Sequence, residues 1–205
     1  EDGNYIASDV TALLAHTRTV TYMEDDEVAV ITADDVQIFD RDRFQLEKEK
    51  HEIEWDISAA EKGGYAHFML KEIMEQPEAV RKTISPRLAD GEIVLEELRD
   101  AKELMKSISR IYIVACGSAY HVGMVGKYAL EKMMHIPVEA CLASEFRYSE
   151  PILGESSLVI IISQSGETLD SMAALREAKK RGSKVLSIVN VMGSSIARES
   201  DYVLY

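Results

Sequence analysis

The 205-residue sequence lacks a long apolar run, a secretory leader and a cysteine framework. No stretch is apolar over the roughly 20 residues that a membrane-spanning helix requires, so we expect no membrane contact. The first residues, Glu1, Asp2 and Gly3, show neither region of a signal peptide and no initiating Met, so we expect part of a longer chain or a processed product. Two cysteines, Cys116 and Cys141, indicate buried free thiols and a cytoplasmic protein.

Basic side chains and metal-binding patterns are also scarce. The net charge is −13, with 26 acidic and 14 basic side chains in residues 1–110 and with 10 and 9 in residues 111–205. Because nucleic-acid binding needs a surplus of Lys and Arg, we expect no nucleic-acid partner. The five histidines show no metal-ligand spacing, and there is no CxxC or HExxH pattern, so we expect no metal and no cofactor.

The N-terminal part of the chain predicts short strands separated by acidic turns. The predicted strands cover residues 19–23, 27–32 and 36–40. A short helix is expected to run from Asp9, as its cap, to Leu14. A highly charged stretch containing the single Trp55 follows. Since three short strands bury little alone, we interpret this part as the edge of a larger β-containing domain.

A helical connection is predicted next. Tyr65 to Gln76 has the pattern of a helix, and Pro77 is expected to stop or kink it because proline lacks a backbone donor. Further helical pieces are expected up to residue 110. This region is too apolar for a disordered linker.

From residue 111 onward, apolar strands alternate with helices. The predicted strands cover residues 111–115, 137–142, 158–162, 184–189 and 202–204, and the predicted helices cover residues 119–134, 168–180 and 194–199. An apolar stripe at residues 122, 125, 126, 129, 130 and 133 supports the first helix. Strands that are apolar throughout are buried on both faces, which is typical of a parallel sheet. The predicted fold is therefore α/β, with a five-stranded, parallel, doubly wound sheet.

Two polar turns follow the first and third of these strands. The 116–119 turn is Cys116-Gly117-Ser118-Ala119, and the 163–168 turn is Ser163-Gln164-Ser165-Gly166-Glu167-Thr168. Open parallel sheets bind ligands beyond the carboxyl ends of their strands, where the strand order reverses. Both turns are expected at that edge, and they are our candidate binding site.

The 163–168 turn has the chemistry of a phosphate site. Its three hydroxyls can donate hydrogen bonds, Gly166 permits a tight turn, and the following helix offers unpaired N–H groups. No Lys is present, so this is not a nucleotide P-loop, and a phosphate monoester fits better than a triphosphate. The alternative is a capping turn whose hydroxyls merely satisfy helix N–H groups.

Three neighbouring side chains have open roles. His121, just inside the first turn, is either catalytic or a structural surface residue. Glu167 could orient a sugar hydroxyl or favour a helix N-terminus. Glu145 is expected in a packed helix, paired with Arg147.

Several segments resemble known proteins. The segments 113–118, 143–148 and 163–168 resemble a sugar isomerase (SIS) domain, more narrowly the first SIS domain of the glutamine–fructose-6-phosphate aminotransferase family. Residues 5–9 resemble the late part of that family's glutaminase domain, and residues 61–73 with Gln76-Pro77 resemble its interdomain helix. The likeness covers essentially the whole chain in the family's order.

The resemblance implies a flavodoxin-like SIS fold at 109–205, preceded by the C-terminal part of a glutamine amidotransferase domain at 1–58 and a helical interdomain linker at 59–108. It implies fructose 6-phosphate or glucosamine 6-phosphate as ligand and a homodimer formed through SIS domains. The family's reaction makes glucosamine 6-phosphate from fructose 6-phosphate and glutamine, and its known catalytic residues have no match in this chain.

The resemblance also assigns the site residues. Ser163, Gln164, Ser165 and Thr168 would hold the sugar phosphate, and the 116–119 turn would line the same site. Ala119 departs from the family's pattern, which has a serine there, so one hydroxyl is lost while its N–H remains a donor. The alternative function is a stand-alone SIS module that senses a sugar phosphate, and a nucleotide-binding flavodoxin-like domain is disfavoured because the P-loop Lys and GxGxxG are absent.

Overall fold

The computed structural model describes residues 3–8, 10–53 and 62–205. The predicted cap Asp9, Trp55 and the predicted boundary at 58/59 lie outside the described residues. The chain divides into two compact units, Glu1–Ala79 and Val80–Tyr205. In the part of the chain that the structure describes, no helix is both long enough and apolar enough to cross a membrane.

The N-terminal unit contains two small antiparallel sheets. Its strands are β1 (Thr19–Val20), β2 (Val28–Ile31), β3 (Val36–Phe39), β4 (Gln45–Leu46) and β5 (His51–Glu52). Strand β1 pairs with β5, and the other three form a sheet in the order β2-β3-β4. A short 3₁₀ helix, Val10–Ala12, precedes them. Among the described residues of this unit, Leu14, Val20 and Ile53 form one small buried cluster.

The predicted second and third strands are confirmed as β2 and β3, whereas β1 is shorter than expected. Strands β4 and β5 lie in the charged stretch and were not predicted, because strands of two residues carry weak local signals. The helix α1 (Phe68–Ile84) contains Pro77 in its interior, so the expected stop at that residue is wrong. One lost backbone hydrogen bond does not end a helix whose next residues favour helical structure.

The C-terminal unit begins with irregular pieces. A 3₁₀ helix, Ser85–Arg87, leads into the hairpin of β6 (Leu88–Ala89) and β7 (Glu92–Ile93). Asp90 and Gly91 both have left-handed backbone angles, with φ of 53° and 81°, as a two-residue hairpin loop requires. A second 3₁₀ helix, Glu96–Ala101, continues into α2 (Lys102–Ser107).

A five-stranded parallel sheet forms the body of this unit. Its strands are β8 (Arg110–Ala115), β9 (Val138–Leu142), β10 (Ser157–Ser163), β11 (Lys184–Val189) and β12 (Tyr202–Leu204). The helices between and after them are α3 (Gly117–Met134), α4 (Ala143–Phe146), α5 (Leu169–Lys180) and α6 (Ser195–Glu199). These elements confirm the predicted α/β fold almost residue by residue, because buried strands and their crossover helices carry strong local patterns.

Apolar layers cover both faces of the sheet. Ile111 and Ile113 belong to one buried cluster, while Val114 belongs to the other, as the alternation of side chains along a strand requires. The second cluster also contains Phe146 of α4 and Leu175 of α5. A doubly wound sheet is stable for this reason: apolar side chains on both of its faces are packed against helices.

Helix α3 was predicted correctly, but only part of its apolar stripe lies against the sheet, where Leu130 packs on the buried cluster that contains Ile113. Val122 and Val125 are 61% and 70% exposed, whereas Gly123 is buried. A Cβ atom on Gly123 would lie 2.9 Å from Cγ2 of Ile113. The helix therefore approaches the sheet through a glycine and turns much of its apolar surface outward.

The strand order is β9-β8-β10-β11-β12, so the direction of winding reverses between β8 and β10. Both strands end level with each other, since Ala115 pairs with Ile162. The two polar turns of the candidate site therefore start side by side at the edge where such sheets bind ligands.

Candidate functional site

The 116–119 turn forms the first wall of the site. Cys116 is extended and half-buried, and Gly117 opens α3 with a left-handed φ of 55°. Gly117 and Ser118 are exposed, and Ala119 is half-buried. No acidic side chain occupies the first turn of α3. The positive end of the helix dipole therefore faces the site without a neighbouring carboxylate in that turn to neutralise it.

The 163–168 turn forms the second wall. The Gly166 N–H donates to the Ser163 hydroxyl oxygen at 3.0 Å, and the Glu167 N–H donates to the Ser165 hydroxyl oxygen at 3.2 Å. The hydroxyl oxygens of Ser163 and Thr168 lie 3.3 Å apart. The two N–H bonds use serine lone pairs, and in the Ser163–Thr168 pair one hydroxyl donates to the other, so the Ser165 hydroxyl and one hydroxyl of that pair keep a hydrogen that can turn toward an anion.

The capping alternative is only partly supported. Thr168 holds the capping position of α5, yet its side chain makes no capping hydrogen bond. Ser163 does satisfy a turn N–H, but that group belongs to Gly166, before the helix begins. Gln164 is exposed and Ser165 and Thr168 are half-buried, so these three polar side chains are accessible from outside the domain, whereas Ser163 is buried at 5% exposure.

A third segment, residues 190–196 after β11, backs the 163–168 turn and was not identified from the sequence. The Asn190 N–H donates to the Gln164 carbonyl at 3.3 Å, and the Ile196 N–H donates to the Gly166 carbonyl at 3.0 Å. The Ser195 N–H donates to Oε1 of Glu167 at 2.8 Å. The Gly193-Ser194 pair, which follows a strand at the same sheet edge, is the sequence signal that could have identified this segment.

Glu167 therefore binds a helix N-terminus, one of the two roles left open, but the helix is α6 and not the adjacent α5. Arg147 lies over the ring of Tyr148, with 4.5 Å from its Cζ to the ring centroid, instead of pairing with Glu145 as expected. His121 is exposed on α3, its ring edge-on to Tyr120.

The two cysteines are free and half-buried. Cys116 Sγ accepts a weak hydrogen bond from the Ser171 hydroxyl at 3.9 Å, close under the first turn. Burial, assisted by the charge of Glu139, raises the pKa of Cys141 to about 11, which makes it a poor nucleophile. Among the described residues, no group of three or more His, Cys, Asp or Glu side chains could hold a metal ion.

Comparisons with known proteins agree with this geometry. Residues 104–205 match the family model of the SIS domain. The chain is 54% identical over 206 aligned positions to a glutamine–fructose-6-phosphate aminotransferase (isomerizing) of Clostridium acetobutylicum, covering 100% of this chain and 34% of that protein. It is 48% identical to the protein of the same name from Mycobacterium leprae, covering 98% of this chain and 32% of the relative. The chain thus spans about a third of the curated relatives that it matches.

Solved structures give the same answer for the fold. The C-terminal domain of glucosamine-fructose-6-phosphate aminotransferase from Francisella tularensis superimposes with a TM-score of 0.66 at 48% identity, covering 70% of this chain and 41% of that chain. A glucosamine-6-phosphate deaminase from Thermotoga maritima superimposes with a TM-score of 0.52 at 27% identity, covering 66% of this chain and 39% of that chain.

Proposed function

This chain belongs to the glutamine–fructose-6-phosphate aminotransferase family, and from that premise we propose that its SIS domain binds the phosphate group of fructose 6-phosphate or glucosamine 6-phosphate. In the whole enzyme this part would hold the sugar while the amino group of glutamine is transferred. The observation that carries the proposal is the pairing of Ala115 with Ile162, which brings two hydroxyl-lined turns and the starts of α3 and α5 together.

The proposed contacts follow from the donors at the two walls. Ser163, Ser165 and Thr168 supply hydroxyls, Gln164 supplies an exposed amide, and the first N–H groups of α5 add the positive end of a helix dipole. Such a site can bind a dianion without a basic side chain, which suits a domain of nearly balanced charge.

The first wall contributes mainly backbone. Cys116, Gly117 and Ser118 lie where the sugar phosphate would meet the start of α3, and Ala119 offers an N–H but no hydroxyl. One missing hydrogen bond weakens binding by about 1 kcal/mol. We assign no catalytic residue to this chain.

The experiment is a titration of the 15N-labelled chain with fructose 6-phosphate, followed by NMR. Amide shifts confined to residues 116–119 and 163–168 are expected, and unphosphorylated fructose should leave them unchanged. Ser163→Ala with Thr168→Ala should weaken binding by about thirtyfold for two lost hydrogen bonds of about 1 kcal/mol each. No shift at millimolar fructose 6-phosphate would refute the proposal.

The sensing module is the second candidate. The similarity to aminotransferases extends over residues 1–103 as well as over the SIS domain, which favours the enzyme over a separate sensor. We keep as proposals the domain limits 1–58, 59–108 and 109–205 and a cytoplasmic location, the latter supported by two free thiols.

We also propose homodimerisation through the SIS domain. Its support is the outward apolar face of α3, where Val122, Val125 and Tyr128 are each more than 60% exposed. Sedimentation velocity should show a dimer that Val125→Asp disrupts. A wild-type chain that stays monomeric at 100 μM, a concentration at which a dimer with micromolar Kd would form, contradicts this arrangement.

A further inference from the structure

The 163–168 turn is fastened to the segment 190–196 by three hydrogen bonds. Two of them join backbone to backbone, from Asn190 to Gln164 and from Ile196 to Gly166. The third runs from the Ser195 N–H to the Glu167 carboxylate at 2.8 Å. Among the described residues, it is the one bond between these segments that a side chain makes, so it is the one that a substitution can remove.

We propose that Glu167 is a positioning residue, whose carboxylate ties the 163–168 turn to the start of α6 and so holds the phosphate-binding groups in place. This inference rests on the proposed function of the turn. Oε1 of Glu167 accepts the Ser195 N–H on the side of α6, and the proposed role requires no contact between the carboxylate and the ligand.

The packing beneath the turn shows how it is held to the segment 190–196. Gly166 has a φ of 69° and lies directly against Ser194, a residue that is 3% exposed and whose hydroxyl has no hydrogen-bond partner among the described residues. The remaining bonds of the turn, from Gly166 to Ser163 and from Glu167 to Ser165, connect it only to itself. The turn is therefore joined to residues 190–196 by two backbone hydrogen bonds and, among the described residues, by one side-chain bond, which the Glu167 carboxylate makes.

Because Glu167 is negatively charged, the direction in which its removal changes phosphate affinity tests its role. A carboxylate beside a phosphate dianion repels it, so removing a glutamate without a positioning role should tighten phosphate binding. Removing a positioning glutamate should weaken binding despite the relief of repulsion. A glutamate that binds a sugar hydroxyl would behave in a third way, since its loss would affect a sugar phosphate but not inorganic phosphate.

The experiment compares wild type, Glu167→Ala, Glu167→Gln and the charge control Asp170→Ala at pH 8, where both ligands carry about two negative charges. Each variant is titrated by NMR with fructose 6-phosphate and with inorganic phosphate. Glu167→Ala should raise both Kd values by a similar factor, about tenfold for the loss of a charge-assisted hydrogen bond. Glu167→Gln keeps an oxygen that can accept from Ser195, so its Kd values should stay within about twofold of wild type.

Asp170→Ala removes the same charge from the first turn of α5 and should not weaken binding of either ligand. If Glu167→Ala tightens binding, or weakens fructose 6-phosphate alone, the positioning role is refuted. If Glu167→Gln is as damaging as Glu167→Ala, the charge and not the hydrogen bond matters, and the proposal is again refuted.

Amide hydrogen exchange on the ligand-free chain separates this inference from the proposed function. Glu167→Ala should speed exchange at the Ser195, Ile196 and Gly166 amides, while Glu167→Gln should leave them protected. If the wild-type chain binds neither ligand, the proposed function is refuted. The hydrogen bond between Glu167 and Ser195 is then tested by the amide exchange rates alone. Unchanged exchange in Glu167→Ala overturns the tie whatever the titrations show.

Discussion

Gly166 is constrained twice at the centre of the candidate site. Its φ of 69° lies in the left-handed region, which disfavours any side chain. A Cβ atom there would also lie 2.0 Å from Oγ and 2.4 Å from Cβ of Ser194, far inside contact distance. The backbone angle is a property of the 163–168 turn itself, whereas the lack of space for a Cβ atom is caused by Ser194 in the segment 190–196.

Gly166→Ala should therefore cost more stability than the same change at a glycine with one constraint. Gly182 has a φ of 84° with open space around it, so Gly182→Ala should lower the free energy of unfolding by about 1 kcal/mol. Gly166→Ala adds a clash of about 1–3 kcal/mol. Urea denaturation measures both losses.

Ser194→Gly in the Gly166→Ala background removes both clashing atoms and should recover most of that additional loss. Equal losses for Gly166→Ala and Gly182→Ala would contradict the close contact with Ser194.

At the scale of elements, the packing of α3 on β8 depends on two glycines with different neighbours. A Cβ on Gly123 would lie 2.9 Å from Cγ2 of Ile113, a methyl group on a branched Cβ, whose χ1 is stiff. A Cβ on Gly126 would lie 3.3 Å from Cδ1 of the same side chain, which can rotate away. The sequence shows two helical glycines but not which of them is in contact.

Replacing each glycine by alanine should give opposite results. Gly123→Ala should lower the free energy of unfolding by about 1–3 kcal/mol, because α3 must move off the sheet. Gly126→Ala should be neutral or stabilising by up to about 1 kcal/mol through helix propensity. Thermal unfolding of both variants tests this. As a control, Ile113→Val should not restore the stability lost in Gly123→Ala, because valine keeps the Cγ2 methyl group that the new Cβ would meet.

Asp201 joins β11 to the start of β12. Its carboxylate accepts hydrogen bonds from Nζ of Lys184 and from the Val185 N–H, each at 2.9 Å. Burial alone would raise the pKa of Asp201, but these two bonds outweigh it, and the pKa lies below its usual value of 3.8. Protonation therefore opposes folding at this residue.

The stability that Asp201 contributes is present above its ordinary pKa and is lost as pH falls through the lowered folded pKa. Asp201→Asn should destabilise the chain at pH 6 by about 1–3 kcal/mol, through loss of charge-assisted bonds. The difference between wild type and variant should shrink below about pH 4. Urea unfolding at a series of pH values checks this, and a difference that is constant with pH would contradict it.

At the scale of the whole molecule, the unit Val80–Tyr205 contains its own core. Both apolar clusters that cover the parallel sheet lie entirely within it. A unit with a complete core is expected to fold independently. The corresponding unit at the N-terminus has only a three-residue buried cluster among its described residues.

Residues 80–205 expressed alone should therefore keep the parallel sheet and the proposed phosphate site. Circular dichroism and a dispersed NMR amide spectrum measure the first, and the fructose 6-phosphate titration measures the second, with a Kd within about threefold of the full chain. A collapsed amide spectrum would show that the N-terminal unit is required for the fold.

The sequence by itself determined the order and type of the elements after residue 110 and the chemistry of the 163–168 turn. Apolar strands, helix patterns and a serine-rich turn are local features, written in neighbouring residues. It also placed both turns at one sheet edge, because carboxyl ends of parallel strands meet there. The N-terminal strands β4 and β5 escaped detection because short paired segments have weak local signals.

Only the tertiary structure decided which residues of different elements are in contact with one another. Glu167 binds the start of α6, Ser194 closes the space behind Gly166, and α3 meets the sheet through Gly123. Each of these contacts joins residues 10 to 28 positions apart, and its energy depends on distances of a few tenths of an ångström. Such distances are set when the elements pack together, which is why no local pattern in the chain could contain them.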